Sequence, residues 1–296
     1  MAKSGSRAMR VGRQSFMFRS PQLKPAVYLR VNIISLMDYS HLLCEIDNHV
    51  AVVTINRPDK LNALNIEVID QLSHCFQELE DNNSVRCIIL TGAGEKAFVA
   101  GADISEFSEF SVPQGRALSA QGNEKLFNKV EDLNTPVIAA VNGFALGGGL
   151  ELAMGCHIRV ASDNARLGLP EVSLGVIPGY GGTQRLPQLV GKGRALEMIT
   201  SAQMINAEQA ASWGLVNHVV PQEELIEKCQ SIASKIIRNS PTAIAYAIQA
   251  VNTGFEEGRD GFEEEIHLFG EAFGTKDFKE GTMAFMEKRK ANFKGS

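Results

Sequence analysis

The chain has 296 residues, 44% hydrophobic and 21% charged, a balance that supports a packed core and excludes a disordered or collagen-like polymer. The net charge of −5 divides unevenly: residues 1–36 hold seven basic groups and no acid, whereas residues 37–296 hold 22 basic and 34 acidic groups, a balance of −12. So acidic a body makes a poor polyanion binder, which excludes nucleic acid as an expected partner, and the lack of any apolar run of about 18 residues excludes a membrane-spanning helix.

The first 36 residues carry Lys3, Arg7, Arg10, Arg13, Arg19, Lys24 and Arg30 and read as a basic N-terminal extension outside the fold. Two readings stand: an upstream extension with Met37 as the functional start in a cytoplasmic protein, or a transit peptide that delivers the chain to the mitochondrial matrix. Pro21 and Pro25 interrupt any helix there. Five scattered cysteines, Cys44, Cys75, Cys87, Cys156 and Cys229, form no CxxC pair and are read as reduced core thiols, with no metal site.

Val50–Ile55 (VAVVTI) is a β-branched apolar run that predicts a buried strand. Ile66, Ile69, Leu72, Phe76 and Leu79 recur at steps of three and four, with Glu67, Asp70, Gln77 and Glu80 between them, which predicts an amphipathic helix. Strand signals return at Arg86–Leu90, Phe98–Ala100 and Val137–Val141, with a helical stretch through Leu118, Leu126, Phe127 and Val130. Strands alternating with helices imply an α/β class. After about residue 220 the strand signals give way to helical segments at Glu223–Arg238, Pro241–Val251, Gly261–Phe273 and Lys276–Lys290. The body therefore divides into an α/β core over 37–236 and a C-terminal helical region over 237–296.

Gly147, Gly148 and Gly149 follow a strand and precede LELAM, so a glycine turn opens onto a helix N-terminus, where free N–H groups and the helix dipole favour an anion or a developing oxyanion. A glycine run is also a common tight packing turn. Glu151 lies about one turn into that helix among Leu150, Leu152, Ala153 and Met154, surroundings that oppose its ionisation; the alternative is a capping or dipole partner. Glu171, in LGLPEVSLG, has similar apolar company, so the two carboxylates suit the acid and base of a proton-transfer site. Local pattern does not bring together groups 20 residues apart. Ala102 follows a strand that breaks at Gly101 and has an N–H that a ligand could use, or Asp103 simply caps the next helix.

Five ordered motifs, NRPDKLNALN (56–65), FVAGADI (98–104), NGFALGGGLELA (142–153), LPEVSLGVIPGYGGTQRLP (169–187) and MEKRKANFK (286–294), resemble those of the enoyl-CoA hydratase/isomerase superfamily, the crotonases, most closely the short-chain enoyl-CoA hydratase branch. The resemblance covers about residues 40–294. It implies a spiral of ββα units with a C-terminal helical trimerisation region, and a homohexamer built as a dimer of trimers. It makes the backbone N–H groups of Ala102 and Gly148 an oxyanion hole, and Glu151 and Glu171 the catalytic carboxylates. Water would add across the double bond of a short-chain trans-2-enoyl-CoA, with Glu151 deprotonating the water that attacks C3 and Glu171 protonating C2. CoA is then part of the substrate, and no separate cofactor is implied. Lys60, Leu61, Ala63, Ala100, Asp103 and Ile104 would line the acyl-CoA path, with Phe285 and Lys288 of a neighbouring subunit near the adenosine. The rival readings are an isomerase moving the double bond between C3 and C2, and a non-catalytic acyl-CoA- or RNA-binding scaffold on the same fold. Two positions depart from the family pattern: His157 stands where many relatives have Asp, and reads as structural, and Leu169 stands where they have Gln. Phe262, Ile266, Phe269 and Phe273, at helical spacing, suit either burial between subunits or an intrachain core.

Overall fold

The computed structural model describes residues 39–296. The expectations for residues 1–36 and for Met37 fall outside the described residues. In chain order the strands are β1 (Leu42–Asp47), β2 (Val50–Ile55), β3 (Cys87–Gly92), β4 (Ala97–Ala100), β5 (Val137–Val141), β6 (Phe144–Leu146), β7 (Ile158–Ser162), β8 (Arg166–Gly168), β9 (Ile205–Asn206) and β10 (His218–Val220). The helices are α1 (Ile66–Glu80), α2 (Val112–Gly122), α3 (Asn128–Glu131), α4 (Gly148–Gly155), α5 (Gly182–Val190), α6 (Lys192–Ser201), α7 (Ala207–Trp213), α8 (Leu225–Ile236), α9 (Pro241–Thr253), α10 (Gly261–Ala272) and α11 (Lys276–Met286).

Two sheets form. The larger has the order β1-β2-β3-β5-β7-β10, parallel except for the antiparallel β1–β2 hairpin. That hairpin turns on Asn48 and His49, both at positive φ (46° and 68°), as a two-residue turn matched to strand twist requires. β1 is one of the elements that the sequence pattern did not announce, as are β6, β8, β9, β10 and α5 to α7. In β1, Leu42 is buried, and the residues after it alternate between exposed and half-buried, as befits an edge strand with one face on the core.

Inner strands of this sheet feed two cores, one on each face. Ile88 and Leu90 of β3 pack with Leu72 and Phe76 of α1, while Cys87 and Ile89 pack with Leu225 and Cys229 of α8. Burial on both faces explains why these strands read as continuous apolar runs. Helix α1 starts where Asn65 accepts a hydrogen bond from the Val68 N–H at 2.9 Å, and it buries Ile69, Leu72, Phe76 and Leu79 as periodicity predicts, with Val68 and Cys75 in addition, whereas Ile66 in the first turn is exposed. The predicted helix through residues 118–130 is present but interrupted, because a π-helical turn at Asn123–Phe127 separates α2 from α3.

The smaller sheet has the order β4-β6-β8-β9, and its first three strands run parallel, with a register shift between Ala97 and Val99 of β4, after which Ala100 lies beside Leu146 and Leu146 beside Gly168. Their C-terminal ends therefore emerge along one edge. No strand follows Val220 among the described residues. Helix α9 begins at Pro241, capped by the Ser240 hydroxyl, which accepts from the Ala243 N–H. Phe262 and Phe269 of α10 are 81% and 67% exposed, and Ile266 and Phe273 are exposed as well, so the intrachain-core reading of this stripe is overturned.

Candidate active site

The edge where β4, β6 and β8 end collects Ala102, Gly148, Glu151 and Glu171. Because Ala100 and Leu146 are paired, Ala102 and Gly148 leave neighbouring strands at equivalent positions, two residues on. Leu64 bridges this corner: its N–H donates to Gly101 O at 2.9 Å, and its carbonyl accepts from the Asp103 N–H at 2.7 Å. In such a parallel bridge the Ala102 N–H points away from Leu64, and it meets no acceptor among the described residues. Gly148 opens α4, so its N–H lacks an intrahelical partner, and it too has no acceptor among the described residues. A side chain at Gly148 would sit 3.6 Å from both Leu64 and Tyr180, which places that turn against the Leu64–Ala102 bridge.

Two glycines are imposed by close approach here. Gly147 holds φ 52° and ψ −126°, and a Cβ on it would lie 2.8 Å from Glu171 Oε1. Gly149 leaves no room for a Cβ between the start of α4 and the Val99 carbonyl.

Glu151 is 1% exposed. Its Oε1 accepts from the N–H groups of Tyr180 and Gly182, each at 2.8 Å, and not from the N–H groups of its own helix. The capping reading of Glu151 is thereby corrected. Burial pushes its carboxyl up to about 7; the Gly182 and Tyr180 bonds and the Arg185 charge oppose that rise, and the Glu171 carboxylate adds to it. Glu171 heads a short 3-10 turn just after β8 and is half-buried; its Oε2 is enclosed without a hydrogen-bond partner among the described residues, and burial raises its pKa too. The structure thus joins two carboxylates, each with its ionisation opposed by burial, to one edge that also presents two unused N–H groups.

Lys60, Leu61, Ala63, Ala100, Asp103 and Ile104 come together on the outer side of this corner. Ala100 N donates to Leu61 O at 3.1 Å, and the Arg57 guanidinium bonds both Ala63 O and Asp103 Oδ2. Asp103 precedes a 3-10 turn, but its side chain caps no backbone N–H there; it accepts from the Ser105 hydroxyl and from Arg57, which corrects the local capping reading. Phe285 and Lys288, at the end of α11, are exposed and share no hydrogen bond with these groups among the described residues.

Sequence reasoning passed over Arg57, Asn62, Tyr180 and Arg185. Asn62 is fully buried with φ 57°; it donates to the carbonyls of Ala93 and Ala97 and accepts from the Arg57 N–H. A polar residue inside LNALN was its available signal. Tyr180 stacks on Phe127 with ring centroids 4.4 Å apart and planes within 6°, making an aromatic wall beside Gly148. His157 accepts the Val137 N–H through Nδ1 at 2.9 Å, and burial lowers its pKa to about 4, so it stays neutral and serves the fold. Leu169 is fully buried, with Cδ1 3.0 Å from where a Cβ on Gly182 would sit. Among the described residues no cluster of His, Cys, Asp and Glu is suited to a metal ion, and all five cysteines are free thiols.

Comparison with known proteins agrees with this arrangement. The family model described as Enoyl-CoA hydratase/isomerase matches residues 45–296. A short-chain-enoyl-CoA hydratase of Clostridium acetobutylicum is 51% identical over 257 residues, 86% of this chain and 97% of that protein. A crotonyl-CoA hydratase of Syntrophomonas wolfei is 45% identical over 258 residues, 87% of this chain and 99% of that protein. The crystal structure of an enoyl-CoA hydratase from Bacillus anthracis superposes with a TM-score of 0.81 at 40% identity, covering 86% of this chain and all of that one. The α/β spiral with a helical C-terminal region is therefore the observed fold, and the chain belongs to the enoyl-CoA hydratase/isomerase family.

Proposed function

We propose that the chain is an enoyl-CoA hydratase that adds water to short-chain trans-2-enoyl-CoA to give 3-hydroxyacyl-CoA. The observation that carries this reading is the pair of carboxylates, Glu151 and Glu171, meeting at the edge where Ala102 and Gly148 offer free N–H groups. The names of the relatives from C. acetobutylicum and S. wolfei support the same reaction and a short acyl chain. With the thioester oxygen between the two N–H groups, the double bond is polarised. Glu151, ionised, takes a proton from water as the water oxygen bonds to C3; the π electrons move to the thioester oxygen as an enolate. Glu171, protonated, then gives its proton to C2 as the enolate collapses. A carboxyl poised near 7 suits a base that must also release its proton in each cycle. Each N–H donor contributes about 3 kcal/mol to the enolate-like transition state.

Lys60, Leu61, Ala63, Ala100, Asp103 and Ile104 form the rim along which the acyl-CoA lies in this reading. The exposed stripe Phe262, Ile266, Phe269 and Phe273 supports assembly through the C-terminal helices into a hexamer, in which Phe285 and Lys288 reach a neighbour's adenosine. Residues 37–236 then form the catalytic core and 237–296 the assembly region. No helix among the described residues is long and apolar enough to cross a membrane, and the bacterial relatives support a cytoplasmic setting. Hydration leaves overall oxidation state unchanged, so besides the protein the proposal invokes only water and the CoA thioester.

The test is crotonyl-CoA turnover, followed by loss of the conjugated thioester absorbance. Wild type is expected to hydrate it, and Glu151→Gln and Glu171→Gln to fall by about 100-fold or more in kcat. A folded, CoA-binding wild type with no hydration would overturn the proposal in favour of the isomerase or scaffold readings.

A further inference from the structure

Glu151 is held by a segment with little rigidity of its own. Three of the four residues in Gly179–Gly182 are glycine, and Gly181 sits at φ 93°. The two N–H groups that bond Glu151 Oε1 both come from this segment. Something outside it must fix their direction. Behind it lies Arg185, 7% exposed, with its guanidinium against the Gly181 backbone, where any side chain would collide with it.

Every nitrogen of that guanidinium is used. Nη1 donates to Tyr180 O at 3.0 Å, Nε and Nη2 donate to Glu131 Oε2 at 2.9 and 2.6 Å, and Nη2 also donates to Asn128 Oδ1 at 2.8 Å. Glu131 compensates the buried charge, and the planar fork fixes its direction. The anchor extends further: Asn252 of α9 donates to the Glu131 carbonyl at 2.7 Å, tying α3 to the C-terminal helices.

We propose that Arg185 is a positioning residue that, braced by Glu131 and Asn128, clamps the Tyr180 carbonyl and so aims the Tyr180 and Gly182 N–H groups at Glu151. It touches no substrate atom; it acts through the peptide segment between itself and the carboxylate. The inference rests on Glu151 being the base of the proposed reaction. The charged groups facing this unit are Glu171 from the turn after β8, Glu131 at the end of α3, Asp132 just after it, and Glu256 beside Asp132.

The test compares wild type with Arg185→Gln, Arg185→Lys and Glu131→Gln. Glu151 titration is read by carbon-13 NMR of carboxyl-labelled glutamate, with the signal assigned by its loss in Glu151→Gln, and the pH profile of kcat/KM is read on crotonyl-CoA. In Arg185→Gln, the loss of a favourable charge and the loosening of two N–H bonds raise the Glu151 titration and the acid limb by about one pH unit. At pH 7 kcat falls about fivefold with KM within about twofold. Arg185→Lys, which keeps the charge, is expected to recover part of the shift, and Glu131→Gln to show a smaller shift in the same direction. A purely structural role would lower the yield of folded protein and leave the titration where it was. Coincident Glu151 titrations in wild type and folded Arg185→Gln overturn the proposal; if that variant does not fold, coincidence in Arg185→Lys and Glu131→Gln does so. A wild type without hydratase activity would sink the functional reading alone, because the NMR titration still decides the role of Arg185.

Discussion

Glu151→Gln is expected to make the protein more stable while removing its activity, and the size of the gain should depend on pH. Burial lifts the carboxyl from 4.5 to about 7. Between those values the folded chain keeps a proton that the unfolded chain has released, so stability falls as pH rises through that window, and the cost is complete above about pH 7. The full difference corresponds to about 3 kcal/mol, and at 1% exposure solvent does little to screen it. Glutamine has no charge to desolvate, and its amide oxygen can still accept from the Tyr180 and Gly182 N–H groups. The variant should exceed wild type by about 1 kcal/mol at pH 5 and by about 3 kcal/mol at pH 8.5. Urea denaturation at one protein concentration and both pH values measures this directly. An equal difference at the two pH values, or a variant less stable than wild type at pH 8.5, would refute the claim that the site holds this carboxylate against its solvation.

Gly147→Ala forces an L side chain into φ 52°, ψ −126° and against Glu171 Oε1; it should cost about 1–3 kcal/mol in a thermal melt and lower kcat by about 100-fold with little change in KM. Asn62→Ala strips partners from the Ala93 and Ala97 carbonyls and the Arg57 N–H at a left-handed position, an expected loss of about 2–4 kcal/mol in urea denaturation. Leu169→Gln brings an amide donor beside Glu151 and Gly182; favouring the carboxylate, it should move the acid limb of the kcat/KM profile to lower pH, and an unmoved limb would show that the amide does not reach Glu151.

Much of the scaffold could be read from periodicity. β2, β5 and the apolar stripe of α1 from Ile69 to Leu79 lie where the pattern of apolar residues placed them, since each buries a face set by its own residue spacing. β1 escaped because an edge strand with one face on solvent carries a weak alternation. At the site, the glutamates and the glycine turn could be nominated locally, but their meeting could not. It depends on the register of β4, β6 and β8 and on hydrogen bonds that span 29 and 31 residues. Arg185 was missed for the same reason: its anchor, Glu131, lies 54 residues away, and nothing beside Arg185 in the sequence marks it as buried.

In the proposed reaction the groups that polarise the thioester are main-chain atoms, the N–H groups of Ala102 and Gly148, delivered by the pairing of two strands. No substitution but proline deletes them, so this half of the chemistry is inherited with the sheet, whereas each carboxylate can be lost or moved by a single codon change. A saturation mutational scan should therefore be lopsided at the site. Intolerance should concentrate at glycines such as Gly147 and Gly149, where any side chain displaces the backbone, and Ala102 should accept small replacements. A scaffold built this way can change which reaction it runs by exchanging acids and bases while keeping its hold on the carbonyl.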